Sequence, residues 1–446
     1  MAQPVIAIFD IGKTNKKFFL FDEDLKEISE EYVKFPTVVD EDGDECDDLE
    51  KITAWAKQKV EELCQNPAYE VKALNFSTYG ASFVSIDASG KPVTPIYNYL
   101  KEFPKELHDE FYGKYPEEEI NRVTASPTLG MLNSGLQLLW IKRMRPETFK
   151  KIRYSLHLPQ YISYLFTGEA VAEPTSIGCH TKLWDFPKKD YHDWVYEEKI
   201  SEKLPATVPT THFFTKEICG QQVQVGVGIH DSSSALASYL LKIKEPFVLI
   251  STGTWSITLN PFPVGELTFE ELQNDCLNFL SIKGETVKAS RFFLGYELDH
   301  QLEKLNRIFD KPAKYYKAIE ADEAYLEGLF SESTEANFYP ETIQRTPLVS
   351  KIFPENNWKP ESYSDFDSAY HQVIWGLARM QVASLRLALG RSEIKKVYID
   401  GGFVHNQVFI RMLGELLPGF DLQFSDFPLG SAYGAALMLK AAQKEV

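Results

Sequence analysis

Two short glycine-centred turns, almost half the chain apart, constrain this sequence more than any other feature. The first is Asp10-Ile11-Gly12-Lys13-Thr14-Asn15, between the apolar runs Val5-Ile6-Ala7-Ile8-Phe9 and Phe18-Phe19-Leu20-Phe21. The second is Ser251-Thr252-Gly253-Thr254, between Phe247-Val248-Leu249-Ile250 and Trp255-Ser256-Ile257-Thr258-Leu259. Short apolar runs bounded by turn residues read as strands, so each motif predicts strand, tight turn, strand. Glycine lets a backbone approach a ligand closely, and successive turn N–H groups form an anion-binding concavity. A pair of such turns can grip a polyphosphate from opposite sides.

The chain has 446 residues, enough for two or more domains with substantial cores. It is 44% apolar and 13% aromatic, which predicts an ordered globular protein. With 47 basic and 64 acidic residues its formal charge is −17, a field that repels nucleic acid and anionic membranes. Any phosphate site therefore needs local N–H groups, a metal ion or nearby lysines. Lys13, Lys16 and Lys17 can serve that end, or can simply form the solvated edge of a hairpin. The cysteines (Cys46, Cys64, Cys179, Cys219 and Cys276) are scattered, with no C-x-x-C pair, which argues against a disulfide framework and a zinc site. No basic leader with an apolar core opens the sequence, and no stretch approaches the roughly 20 apolar residues that span a bilayer. The expectation is a cytoplasmic protein without membrane or nucleic-acid partners, acting as a monomer or homodimer.

Along the chain, an acidic segment, Asp40 to Glu45, reads as a solvated loop. Residues 49–64 carry helical apolar spacing, strands are expected at 73–76 and 83–86, and Gly135–Lys142 reads as a buried helix. A proline- and threonine-rich stretch ends near Gln224, which places the domain boundary there: residues 1–224 and 225–446. The second half continues with a helical pattern at 367–390, a strand at 397–400, a Gly401-Gly402 turn, and helices around 406–417 and 431–443.

Gly12-Lys13-Thr14 resembles the end of a P-loop. That motif needs a glycine where this chain has Ala7, and it must open a helix, so the P-loop reading fails. Asp10 ends an apolar strand beside the turn. It can hold a hydrated Mg²⁺ ion, which favours few carboxylates, or it can cap the turn. In Gly228-Ile229-His230-Asp231-Ser232-Ser233-Ser234-Ala235 a strand ends and small residues open a helix. Asp231 is either an N-cap or a general base for a hydroxyl substrate, and His230 reads as a packed support more readily than as a catalyst. The Gly pair in Asp400-Gly401-Gly402-Phe403, between a strand and a helix, permits flat packing of a base or ribose against the backbone.

The ordered set of these motifs resembles the FGGY carbohydrate kinases over nearly the whole chain. The first phosphate motif matches Asp10 to Lys17, the catalytic-aspartate motif Gly228 to Ala235, the second phosphate motif Ser251 to Ser256, the adenosine motif Ile399 to Phe403 with Asn406, and the terminal helix Gly430 to Gly434. Within the family, the segments around Asp231 and Thr252, and Ser77 to Val84, look most like the L-rhamnulose kinase branch. The resemblance implies an α/β, two-lobed actin-like (ribonuclease H-like) ATPase fold with the active site in the interlobe cleft. It implies transfer of the γ-phosphoryl group of ATP, with Mg²⁺, to a hydroxyl of a small-molecule sugar, a ketose such as L-rhamnulose or L-fuculose. On that resemblance Asp231 is the base and Asp10 the metal ligand. Gly12, Lys13, Thr14, Asn15, Thr252, Gly253 and Thr254 hold phosphates, and Gly401, Gly402 and Asn406 line the adenosine site. Thr78, Tyr79, Gly80 and His230 join Asp231 at the sugar. Two departures bear on the sugar: Tyr97-Asn98-Tyr99-Leu100-Lys101 lacks an Asp and an Arg common in the family, and Gln160 replaces a usual acid.

Overall fold

The computed structural model describes residues 2–323, 325–326, 329, 338–425 and 430–444. The chain divides into two compact units. The first comprises Met1–Lys244 with Asn278–Thr286 and Pro428–Val446, the second Glu245–Leu277 with Val287–Phe427. The stretch after Gln224 therefore stays with the first unit as far as Lys244. Its strands pair with that unit's sheet and its helix packs on that unit's C-terminal helix, so the proline-rich segment before it is internal to the unit.

The first unit is built on a mixed sheet of β1 (Gln3–Ile11), β2 (Lys16–Asp22), β3 (Glu27–Val33), β4 (Tyr69–Thr78), β5 (Phe213–Ile218), β6 (Gln221–Gly226) and β7 (Ile229–His230). The order is β5-β6-β4-β1-β2-β3, with β7 also on β4. Strands β1, β6 and β7 all run parallel to β4, whereas β1 and β2 form the antiparallel hairpin read from the first turn. β1 is apolar on both faces because both are covered. Val5, Ala7, Phe9 and Ile11 cluster with Ile52, Ala56, Val60 and Leu63 of helix α1 (Leu49–Gln65) and with Leu158 and Ile162 of α2 (Leu158–Thr167). Each such aliphatic side chain contributes roughly 1.5–3 kcal/mol by burial. Asp48 starts α1 by accepting the Lys51 N–H at 3.0 Å.

Ile6 and Ile8, on the opposite face, pack with Ala237 of α3 (Asp231–Lys242) and with Ala432, Ala435 and Ala436. Those alanines sit on the C-terminal helix of the first unit, Gly430–Lys444. The small residues let the two helices touch backbone to backbone: a Cβ on Gly434 would lie 1.8 Å from the Ser234 carbonyl oxygen.

The second unit carries a six-stranded sheet of β8 (Val248–Thr252), β9 (Ser256–Asn260), β10 (Cys276–Leu280), β11 (Thr286–Phe292), β12 (Lys396–Gly401) and β13 (Asp421–Ser425), in the order β10-β11-β9-β8-β12-β13. β8 and β9 are the second hairpin, joined antiparallel from Leu249↔Leu259 to Thr252↔Ser256, and β12 pairs parallel with β8. The long helix α5 (Phe366–Leu389) packs with α4 (Gly295–Ile308) and α6 (Gln407–Leu416) around one apolar core. In chain order the C-terminal helix, Gly430–Lys444, is α7. Asp365 caps α5 on the Ser368 N–H at 2.8 Å, and Asn406 caps α6 on the Phe409 N–H at 3.1 Å. Among the described residues no helix is long and apolar enough to cross a membrane.

The contact between α3 and α7 has no room for a side chain at Gly434. Gly434→Val is expected to lower the stability of the first unit by about 2–3 kcal/mol, read as a fall in the urea midpoint.

Candidate active site

Sheet register brings the first unit's candidate residues together. Asp10 of β1 lies opposite Ser77 of β4, and Ile229 and His230 of β7 lie opposite Ser77 and Thr78. Asp10, Thr78 and His230 thus share the carboxyl ends of neighbouring parallel strands, where open α/β sheets bind ligands. Asp231 follows as the first residue of α3, among the free N–H groups of a helix N-terminus. Its Oδ1 accepts from the Ser232 N–H at 2.6 Å, and its side chain is 34% exposed.

Asp10 is enclosed by protein. Burial, reinforced by the neighbouring Asp231 charge, lifts its carboxyl from the usual range to about 6, although the Ser431 hydroxyl and the Lys17 ammonium act in the opposite direction. A buried carboxyl in this state, hydrogen-bonded by the Ser77 and Ser431 hydroxyls, is one that a hard divalent cation would relieve.

His230 is the best-anchored residue of the group. Its backbone N–H donates to Thr175 Oγ1 (3.1 Å), and Thr175 Oγ1 donates to the buried Glu173 carboxylate (2.8 Å). Its Nδ1 lies 3.4 Å from Ser233 Oγ, and its Nε2 lies 3.4 Å from Cys179 Sγ and 3.2 Å from Asp231 Oδ1. Burial alone would depress its pKa, but the Cys179 and Asp231 charges outweigh that and raise it to about 9. Burial likewise disfavours a Cys179 thiolate, yet His180 and His230 bring the thiol down to about 5. Gly80 closes this cluster: a Cβ there would stand 3.0 Å from the imidazole. Thr78 and Tyr79 are buried and engaged within the protein, Thr78 Oγ1 donating to the Tyr79 carbonyl at 2.9 Å. Gly80 alone of the three is partly exposed. His180 Nδ1 is buried without a hydrogen-bond partner among the described residues.

The first turn is closed by Gly12 N–H donating to the Asn15 carbonyl at 2.9 Å, and it exposes Thr14 and Asn15. Lys13 extends to Asp47 Oδ2 at 2.6 Å, and its ammonium stands 5.3 Å and 5.1 Å from the ring centroids of Tyr79 and Tyr99. Lys16 binds Asp47 Oδ1 at 3.0 Å, and Tyr79 Oη donates to Asp47 Oδ2 at 2.7 Å. Asp47 therefore ties the phosphate-type turn to the segment that follows β4. Nothing local in the sequence marks it, since its partners lie more than 30 positions away.

The second unit has its own concavity, a cavity of about 600 Å³ lined by Gly253, Thr254, Gly402, Asn406, Tyr316, Lys317 and Tyr370, among others. Gly253 and Thr254 are exposed at the hairpin tip, and their carbonyls accept the Gly295 N–H at the start of α4. Thr252 is buried and joins the two turns: its Oγ1 donates to the Asp400 carbonyl at 2.6 Å and accepts the Phe403 N–H at 3.2 Å. Gly401 has φ +91°, and a Cβ on it would lie 1.9 Å from the Thr252 carbonyl oxygen, so only glycine fits. Asn406 Nδ2 donates to Tyr370 Oη at 2.9 Å, which joins α6 to α5 beside the cavity. Tyr316, Lys317 and Tyr370 escaped sequence reading because they sit in helical turns with no motif.

Both departures noted in the sequence have structural explanations. The acidic segment is exposed from Glu41 to Glu45, as expected of a solvated loop, but is anchored: Lys101 Nζ stands 2.6 Å from Asp40, 2.7 Å from Asp42 and 2.7 Å from Asp44. The Asp40 side chain is fully buried against the lysine, whose charge pins one end of the loop. Arg145 adds bonds to Glu41 and Asp42. Gln160 is fully buried, and its Nε2 donates to the carbonyls of Val227 and Gly228, both at 3.2 Å, which secures the backbone leading into His230.

Known proteins show which family the chain belongs to. Residues 5–235 match the N-terminal domain of the FGGY family of carbohydrate kinases, and residues 244–445 match the C-terminal domain of carbohydrate kinase FGGY. The chain belongs to this family. It is 23% identical over 269 residues to a rhamnulokinase of Halalkalibacterium halodurans, a match covering 57% of this chain and 54% of that protein. The chain thus spans about half the length of this relative. In fold it is similar to a carbohydrate kinase from Novosphingobium aromaticivorans, with TM-score 0.83, 21% identity, and coverage of 99% of this chain and 92% of that one. It is also similar to a ligand-bound xylulose kinase from Lactobacillus acidophilus, with TM-score 0.74, 14% identity, and coverage of 99% and 90%.

A carboxyl whose pKa is higher folded than unfolded weakens the fold once pH rises through that interval. For Asp10 the interval runs from 3.8 to about 6. Without divalent cations, Asp10→Asn is expected to be more stable than wild type at pH 8, by roughly 2–3 kcal/mol. The gain should vanish by pH 4, as read from thermal unfolding across that range.

Proposed function

We propose that this chain transfers the γ-phosphoryl group of ATP to a hydroxyl of a ketose, with 6-deoxyketohexoses such as L-rhamnulose and L-fuculose as the first candidates. The observation that carries the reading is the juxtaposition of Asp10, Gly80, His230 and Asp231 at the strand ends of the first unit. The 6-deoxyketohexoses are supported by the resemblance to rhamnulokinases; another ketose such as xylulose, or a polyol, is the runner-up. The cytoplasm, with its supply of ATP, is the expected compartment, and a monomer or homodimer the expected state.

In this reading the two units divide the work. The cavity of the second unit takes the adenosine, with Gly402 and Asn406 on its wall and Gly401 in the turn that leads to them. The turn at Gly253 and Thr254, and that at Gly12, Lys13, Thr14 and Asn15, would take the phosphates, with the N–H groups of Gly12 and Gly253 holding the turns closed. Thr252 acts at one remove, by holding the glycine turn in place. The first unit takes the sugar: Gly80 presents backbone, and His180 Nδ1 is a buried polar atom ready for a hydroxyl. Thr78 and Tyr79 shape the floor beneath.

Asp231 is the group positioned to receive the acceptor's proton. Phosphoryl transfer has a loose transition state, so the proton leaves late and the base chiefly aligns the oxygen. The acceptor oxygen forms its bond to phosphorus as the bond to the bridging oxygen breaks, and that electron pair leaves with ADP. The proton passes to Asp231. Asp10 is the residue that would orient a hydrated Mg²⁺, whose charge would offset that of the phosphates.

Asp231→Asn is expected to preserve ATP binding by calorimetry while reducing kcat by about 10²–10⁴-fold in a coupled ADP-release assay. A variant that keeps most of its turnover overturns the assignment of the base. The same assay, run over ketopentoses and 6-deoxyketohexoses, identifies the acceptor. A panel in which no ketose accelerates ADP release overturns the ketose reading.

A further inference from the structure

His230 Nε2 carries a single ring position and has two acceptors within reach, the Asp231 carboxylate at 3.2 Å and the Cys179 sulfur at 3.4 Å. The imidazole and the sulfur both crowd the backbone of Gly80, where a Cβ would lie 3.1 Å from Nε2 and 3.6 Å from Cys179 Sγ. The ring has further neighbours. Its Nδ1 faces Ser233 Oγ, its backbone is fixed through Thr175 to Glu173, and the Phe279 ring stands edge-on at 6.2 Å. We propose that Cys179 is a positioning residue for phosphoryl transfer, its sulfur holding the His230 imidazole so that the ring fixes the Asp231 carboxylate toward the acceptor hydroxyl. The inference rests on Asp231 being the base.

The chemical reason lies in the change of charge at Asp231 during turnover. Before transfer the carboxylate is an anion and shares the Nε2–H with the sulfur. Once it has received the acceptor's proton it is neutral and a far weaker acceptor. A ring held by Asp231 alone would then lose its partner in the middle of the reaction. With Cys179 on the other side, the N–H keeps an acceptor throughout, and the carboxyl returns to the same place when it releases the proton. A serine at 179 would keep the shape and a hydrogen bond but not the anionic partner, and an alanine would keep neither.

The groups bearing on His230 can be named from every side. Cys179 and His180 come from the loop after Ile177, Asp231 and Ser233 from α3, Glu173 from the turn before Pro174, and His157 from the strand end that precedes α2. Of these, Cys179, Asp231 and Glu173 favour a protonated imidazole, and the cationic form of His157 would oppose it. Removing Cys179 therefore moves the His230 titration to lower pH, and the alkaline limb of kcat, which needs the ring protonated, moves with it.

The test compares wild type with Cys179→Ser and Cys179→Ala, measuring kcat and KM for the accepted sugar across pH. The expected result is a kcat at least tenfold lower in Cys179→Ala, a smaller loss in Cys179→Ser, and acceptor KM changed less than threefold. The alkaline limb should shift by at least one pH unit toward acid in both. A second measurement needs no turnover: NMR titration of histidine-labelled protein, with the His230 signal assigned by its loss in His230→Gln, should show the same acid shift in Cys179→Ser. Wild-type kcat and pH profile in Cys179→Ser, or an unmoved His230 titration, would overturn the proposal. If that happens while Asp231→Asn is inactive, the positioning role alone fails. If Asp231→Asn retains turnover, it is the assignment of the base that falls, and this proposal with it.

Discussion

The parallel pairing of β4 with β1, β6 and β7 is the constraint on which the rest of the first unit depends. A parallel sheet sends its strand ends in one direction, so residues far apart in sequence meet along a single edge. Asp10 stands one residue from the end of β1 opposite Ser77, and His230 ends β7 opposite Thr78 at the end of β4, so all three reach the same edge of the sheet. A slip of one residue in any strand would turn its side chains to the other face. The apolar alternation of β1 guards against that: Val5, Ala7, Phe9 and Ile11 face α1, while Ile6 and Ile8 face α3 and α7.

Holding such an edge together has an electrostatic cost, and the structure distributes it unevenly. Burial and the nearby Asp231 charge leave Asp10 with a raised pKa that Ser431, Ser77 and Lys17 only partly offset. Asp47, by contrast, is met by two lysines and a tyrosine, and burial is outweighed there so that its pKa falls. Burial prevails at the first aspartate and ion pairing at the second. The same division runs through the second unit. There the Thr252 hydroxyl is consumed in joining two turns, whereas the backbone of Gly253 and Thr254 stays exposed.

Much of this could be read from the chain. Both hairpins, the helices at 49–65 and 366–389 and the glycine turn at 401–402 follow from apolar period and turn chemistry, which are local properties. The unit boundary was harder to read. A run of prolines and threonines looks like a linker, but Val225–Lys244 continues the first sheet, and pairing with β4 is invisible to composition. The Asp40–Glu45 loop is solvated from Glu41 onward as its acids suggest, but its anchoring was not legible, because Lys101 and Arg145 lie far along the chain.

By itself the sequence determined which residues could do chemistry: acids at strand ends, glycines where backbone must be bare, small residues opening a helix. These depend on nearest neighbours, and a chain carries that information in order. Only the tertiary structure decided which of those residues meet. Cys179 reaches His230 across 51 positions, and Lys13 reaches Asp47 across 34. Such meetings depend on sheet register and on the paths of loops, which arise from the packing of the whole unit and leave no local trace in the sequence.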